Sequence, residues 1–234
     1  MRHAVLALVV LAAVRPAFAQ RMCWNGTPPP CPRPPAESPR GQPPRQRPFT
    51  IVAALDGNAP AEVRAAARNL ITSALDESRE IAALPDDQIR LGLRLAGRPE
   101  TTRVDVALAR ELAVRGAVRT VVTGTIDQVG QTYHAAVRVL DADSNVVVAA
   151  RSEIARGEND LIPTLDRVLR LVRADLGERR AAIAANRPLR EAATPSFAAY
   201  QQYRRAIELN MAVDFRASAD AYKRALARDR KSVV

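Results

Sequence analysis

The side chains that could do chemistry are few and scattered along this 234-residue chain. Past the first nineteen residues it carries one histidine, His134, so a Ser-His-Asp site would have to be built around it. His134 falls in the middle of an alternating run, on the face shared by Ala136 and Arg138 and opposite Tyr133, Ala135 and Val137. A solvent-facing strand histidine explains that pattern more simply than a general base, and no G-x-S-x-G elbow accompanies it. Asp141, Asp143 and Asn145 imitate the start of a calcium loop. Val146 then takes the sixth position, where glycine is needed, and Ser152 the twelfth in place of glutamate. Two aspartates and an asparagine between strands are what a turn needs anyway. Asp86 and Asp87 precede a helical run and read as a cap. The ten glycines never form G-x-x-x-x-G-K or G-x-G-x-x-G, so a nucleotide cradle has no support. These residues indicate no catalytic site, no cofactor and no metal.

Cys23 and Cys31 form a candidate disulfide. In an oxidising compartment they would close a loop over Trp24–Pro30, worth about 2–3 kcal/mol in the chain-entropy model. Such a compartment is what the amino terminus announces. Arg2 precedes an apolar stretch from Ala4 to Val14, and Ala17-Phe18-Ala19 gives the small-x-small pattern of a cleavable export signal over residues 1–19. Eleven apolar residues are too few to span a bilayer, which takes about 20. Residues 20–48 then form a proline-rich linker: ten of the twenty-two residues from Thr27 to Pro48 are proline, a composition that favours extended polyproline II and reads as a stiff spacer. The formal charge of +10 does not mark a nucleic-acid binder. Residues 49–193 are neutral, and the excess lies in the export signal, the linker and residues 194–234. A basic stripe on the domain itself, interleaved with aromatics, is missing.

Order is predicted from Phe49. Phe49, Ile51, Ala53 and Leu55 alternate as a strand over 49–55. Pro60 opens a helix whose apolar face is Val63, Ala67, Leu70, Ile71, Ala74 and Leu75. A short strand near Glu80–Leu84 and a weaker helix around Asp87–Leu95 follow. Thr102 and Asp105 form a capping-box-like pair before a helix that Gly116 stops. Val118–Asp127, Thr132–Asp141 and Val146–Ile154 read as a three-strand antiparallel meander. Asn159 or Asp160 then caps a helix with the stripe Leu161, Leu165, Val168, Leu169, Val172 and Leu176. The fold class is therefore α/β (α+β), a mixed sheet with helices mainly on one face, over residues 49–190.

Two helices are expected after Thr194-Pro195, at Ser196–Met211 and Asp214–Arg228. Tyr200, Tyr203, Ala206 and Leu209 can face Phe215, Ser218, Tyr222, Ala225 and Leu226, a pattern similar to one tetratricopeptide repeat over 194–230, with Arg230 where the repeat's closing proline usually falls. Tyr200, Tyr203 and Tyr222 are the candidate interaction surface, because aromatics anchor interfaces; the competing reading packs them between the two helices.

Phe49-Thr50-Ile51-Val52, Ala107–Leu112, Val121-Val122-Thr123-Gly124-Thr125-Ile126, Val137–Asp141 and Thr194 with Ala199-Tyr200 carry a family resemblance. On them, residues 49–210 resemble the TolB-amino-terminal-like (FlgO-like) extracytoplasmic domain of bacterial tetratricopeptide-repeat proteins. The kinase, membrane span and full repeat array of that architecture are missing, and the motifs are structural: Thr123-Gly124-Thr125 implies a strand with close backbone approach. The resemblance implies an interaction module outside the cytoplasm. The expected function is an exported, periplasmic, non-catalytic scaffold or adaptor that binds a protein partner through the carboxy-terminal helices or the α/β body. No nucleic acid is expected, nor a membrane span once the signal is cleaved. A small-ligand sensor with a pocket between sheet and helices is the alternative, and a hydrolase around His134 the remaining one.

Overall fold

A computed structural model of the protein describes residues 47–229. The export segment, Cys23, Cys31 and nearly all of the proline-rich linker lie outside the described residues. Arg47 Nη1 donates to the carbonyl oxygens of Asp76, at 2.7 Å, and of Ser78.

Five strands make one mixed sheet in the order β2-β1-β3-β4-β5. β1 (Phe49–Val52) runs parallel to β2 (Ala82–Ala83) and to β3 (Thr120–Val129). β3, β4 (Thr132–Asp141) and β5 (Val147–Ala155) form the antiparallel meander, with Gly130, at φ 62°, in the first turn. Gly124 is where two backbones come closest: a Cβ there would stand 2.1 Å from the Ala136 carbonyl oxygen, so only glycine lets β3 and β4 pair at that point. The close approach read from Thr123-Gly124-Thr125 is thus present.

Two apolar clusters hold the layers together. The larger lies between one sheet face and helices α1 (Ala61–Asp76) and α4 (Leu161–Asp175). There Leu70, Ile71, Leu75, Leu161, Leu165, Leu169 and Val172 close over Val52, Val122, Ile126, Val137 and Val139. Each large side chain so buried contributes about 1.5–3 kcal/mol relative to exposure, which makes this layer the main source of stability. The smaller cluster lies on the opposite face, where α2 (Asp86–Leu95) and α3 (Val106–Arg115) cover Ile51, Ala53 and Val121. One face is therefore covered along the whole sheet. The other is covered only over its parallel half and stays open across the meander.

Local detail departs from expectation at three helix starts. Pro85 occupies the N-cap of α2, so Asp86 and Asp87 stand in its first turn, where they meet the positive end of the helix dipole without capping it. Asp105 is itself the N-cap of α3, accepting from the Leu108 amide at 2.9 Å. Thr102 instead donates to the Pro99 carbonyl at 2.7 Å, so no reciprocal box forms. Asp160 precedes α4 without a side-chain capping bond. Two short helices have no counterpart in the sequence reading, α5 (Arg180–Ala185) and α6 (Leu189–Ala192), ahead of α7 (Phe197–Met211) and α8 (Phe215–Arg228).

Candidate functional site

The helix pair α7–α8 is built from its caps inward. Ser196 Oγ accepts from the Ala199 amide at 3.2 Å and Asp214 Oδ1 from the Ala217 amide at 3.1 Å, which starts each helix. Small residues let the helices approach: Ala206, Ala221 and Ala225 are buried, and Ser218 Oγ donates to the Ala206 carbonyl at 2.8 Å. Thr194 Oγ1 donates to Asp229 Oδ2 at 2.6 Å and accepts from the Ser196 amide, tying the entry of the hairpin to its exit.

The three tyrosines take different places. Tyr200 is 6% exposed and packs in the main core with Phe197, so α7 is seated on the body. That burial leaves Tyr200 almost no surface for a protein partner on the outside of α7, although it lines the cavity beneath the helix pair. Burial also pushes its hydroxyl above the ordinary phenol range, against the opposing pull of Arg204 and a hydrogen bond with Ser73. Tyr203 and Tyr222 meet edge to face, with ring centroids 6.0 Å apart and planes at 61°. Tyr222 is half-buried in that contact, while Tyr203 keeps an exposed side.

The turn between the helices presents apolar groups to solvent. Met211, Val213 and Phe215 are each more than 60% exposed, and Val213 sits at φ 64°. A β-branched residue in the left-handed region costs about 1–2 kcal/mol, and here no burial offsets it.

Beneath the pair, between α1, α6, α7 and α8, lies a cavity of about 770 Å³. Tyr200, Arg204 and Ile207 from α7, Leu189 and Ala193 near α6 and Ser73 from α1 line it, with Glu77 and Arg187 at its rim. Tyr200 and Arg204, four apart on one helical run, were the signal in the sequence that could have found it; the opposite wall comes from residues more than a hundred positions away.

The other candidates resolve into structure. His134 is exposed on the open sheet face, in register with Asp127 on β3 and Ile154 on β5. Among the described residues no hydrogen bond joins it to a carboxylate or a hydroxyl. Asp141 Oδ1 accepts from the Ser144 amide at 2.9 Å and the Ser144 hydroxyl at 2.8 Å, bonds that hold its carboxyl below the usual range. Asn145 closes that turn at φ 60°, and no group of three or more metal-ligating side chains occurs among the described residues. The Asp141–Asn145 segment is a turn.

One ionic group was missed. Arg173, on the buried stripe of α4, forms a two-pronged bond with Glu178, Nε to Oε2 at 2.8 Å and Nη2 to Oε1 at 2.7 Å. Ser78 Oγ and the Arg79 amide donate to the same carboxylate, at 2.6 and 3.2 Å. Burial alone would raise the Glu178 pKa, but the bonds from Arg173, Ser78 and Arg79 and the Arg173 charge outweigh it and hold the pKa at about 2. Gly177, at φ 93°, turns the chain after α4 so that Glu178 can reach back. A buried-face arginine just before Leu176-Gly177 was the available clue.

No family model matches the sequence, and no curated protein matches it. Among solved structures, the chain is similar to the LpoB C-terminal domain from Escherichia coli, at 11% identity and a TM-score of 0.41, over 46% of this chain and 82% of that one. It is similar to a PelC dodecamer subunit from Paraburkholderia phytofirmans at 13% identity and a TM-score of 0.40, over 57% of this chain and 90% of that one. TolB from Acinetobacter baumannii gives 10% identity and a TM-score of 0.39, over 57% of this chain and 29% of TolB. These are partial likenesses of chain path, and nothing about activity or partner follows from them.

Proposed function

We propose that this chain is an exported, non-catalytic adaptor in the cell envelope that binds a protein partner through the turn and exposed side of the α7–α8 pair. The observation that carries the proposal is Val213: an exposed valine in a left-handed turn is rewarded neither by burial nor by conformation. Met211 and Phe215 on either side are exposed as well, and Tyr203 adds an aromatic anchor beside Tyr222. The export signal over 1–19 supplies the compartment and the proline-rich stretch over 20–48 the reach. The hairpin reads as a single tetratricopeptide-type unit appended to a TolB-like body.

Capture from the envelope fraction tests this. A Val213→Gly/Phe215→Ser variant should fold at least as stably as wild type, because it relieves the turn, yet should lose the captured proteins. Equal recovery by both chains, with circular dichroism unchanged, defeats the proposal. A second reading, a small-ligand sensor, is favoured by the cavity of about 770 Å³ beneath the same helix pair.

A further inference from the structure

The sheet ends differently on its two sides. β2, at one edge, is two residues long, whereas β5, at the other, runs nine residues from Val147 to Ala155. An edge strand shows a row of unpaired backbone groups, and chains usually guard it with brevity, proline, lysine or a bulge. β5 has neither proline nor lysine, and its one irregularity lies at its start, opposite Val139 and Leu140, so residues 149–155 stay regular. The groups on its outer side follow from the bonds further in. The carbonyls of Val122, Gly124 and Ile126 accept from the amides of Ala53, Asp56 and Ala59, so the odd positions of β3 bond to β4. By the register, Val137, Ala135 and Tyr133 of β4 then bond to Arg151, Glu153 and Ala155 of β5. The amides and carbonyls of Ala150, Ser152 and Ile154 are left pointing away from the sheet, and among the described residues no strand pairs with them. Ala150, Ser152 and Ile154 also expose their side chains on the open sheet face.

We infer that this edge is an interface between two copies of the chain, paired antiparallel through β5 about a two-fold axis at Ser152. The strand's own sequence is self-complementary there. Around Ser152 it reads Ala150-Arg151-Ser152-Glu153-Ile154, so a reversed copy sets Arg151 opposite the partner's Glu153 and Glu153 opposite the partner's Arg151. Ala150 faces the partner's Ile154, a small residue against a large one. The even positions exchange backbone bonds. The two Arg–Glu pairs fall at the closer, non-hydrogen-bonded positions, where facing side chains interact best. Moving the axis to Arg151 or to Glu153 would set like charges opposite each other, so charge selects this register. The layer behind continues the pattern. Arg151 holds Asp175 at 2.7 Å and Glu153 Oε2 lies 3.6 Å from Arg167 Nε, so pairing links acids and bases in alternating sign across the axis. Leu171 of α4 is exposed beside Arg151 and Asp175, on the flank a second copy would cover. The proline-rich stretch over 20–48 is a poor occupant of the same edge, because proline has no amide to give to a ladder. With only one long edge per copy, the pairing closes at a dimer and does not grow into a fibre. It uses none of the α7–α8 residues of the adaptor reading.

Sedimentation equilibrium of the full chain over a concentration series tests the inference, with hydrogen exchange as the residue-level readout. The wild type should pass from monomer to dimer as concentration rises. The Ala150, Ser152 and Ile154 amides should gain protection in step, while those of Arg151 and Glu153 are protected throughout. Ser152→Pro removes an amide that bonds nothing within the sheet, and should hold the protein monomeric. Charge reversal covers the case in which that proline disturbs the strand. Arg151→Glu and Glu153→Arg should each weaken self-association by about 10-fold or more, because like charges then face each other twice. Mixed together, the two variants should associate about as tightly as wild type, since every facing pair is again opposite in sign. A monomer at every concentration up to about 1 mM overturns the proposal. A dimer whose Ser152 amide exchanges freely, or single variants that self-associate like wild type, overturns it by placing the contact elsewhere. Protection of the three outer amides in the monomer also overturns it and gives the edge to another part of the same chain.

Discussion

Two arginines on two helices show how differently this chain treats buried charge. Arg173 on α4 is 5% exposed at its side chain and bonded in both prongs to Glu178, whose carboxylate also accepts from Ser78 and the Arg79 amide. Every group there has a partner within the chain, and the cluster pins the end of α4 to the segment after α1. Arg204 on α7 has an equally dry Nε and nothing to give it to. A satisfied buried ion pair is architecture; an orphaned buried N–H is a local cost that the packing around α7 has to carry.

The contrast breaks first, if it breaks, at Glu178. Replacing it with alanine strands the Arg173 guanidinium in the core and should cost about 3–5 kcal/mol in urea unfolding. A loss under about 1 kcal/mol would mean that the cluster is not the architectural half of the pair. Acid sharpens the same point. The Glu178 pKa is held at about 2, below its unfolded value near 4.5, so its stabilisation is complete above about pH 4.5 and drains away as pH falls toward 2. The Glu178→Ala protein should lack that component, and a midpoint-against-pH series on both chains measures it. Arg204→Met should do least. Its Nε loses no bond within the chain, so stability should stay within about 1 kcal/mol of wild type by the same denaturation. A loss of several kcal/mol there would show that Arg204 is architectural too, and the comparison would collapse.

Much of the architecture was legible because it is written in periods. Alternation in 132–141 and three-and-four spacing in α1 and α4 each report which side faces the core, and the structure places those residues there. Caps were less legible. Thr102 and Asp105 stand three apart as a capping box does, yet the helix starts after the second of them, because an aspartate at the N-cap satisfies the Leu108 amide directly. The short helices α5 and α6 are four to six residues long and show no apolar period of their own; docking to α4 orders them. Tyr200, Tyr203 and Tyr222 were named together from the sequence. Seating α7 on the body separated them, because only one side of a docked helix remains free.

By itself the sequence determined the order of the longer elements and the meander with its glycine contact at Gly124. Those features are local: a period or a turn residue can be read within a few positions. Only the tertiary structure decided that Glu178 accepts from both Arg173 and Ser78, and that α1 and α7 line one cavity. It also decided which tyrosine stays in contact with water. The Ser78–Glu178 bond and the shared cavity depend on residues a hundred or more positions apart arriving at the same place, and long-range packing leaves no period in the chain to announce it.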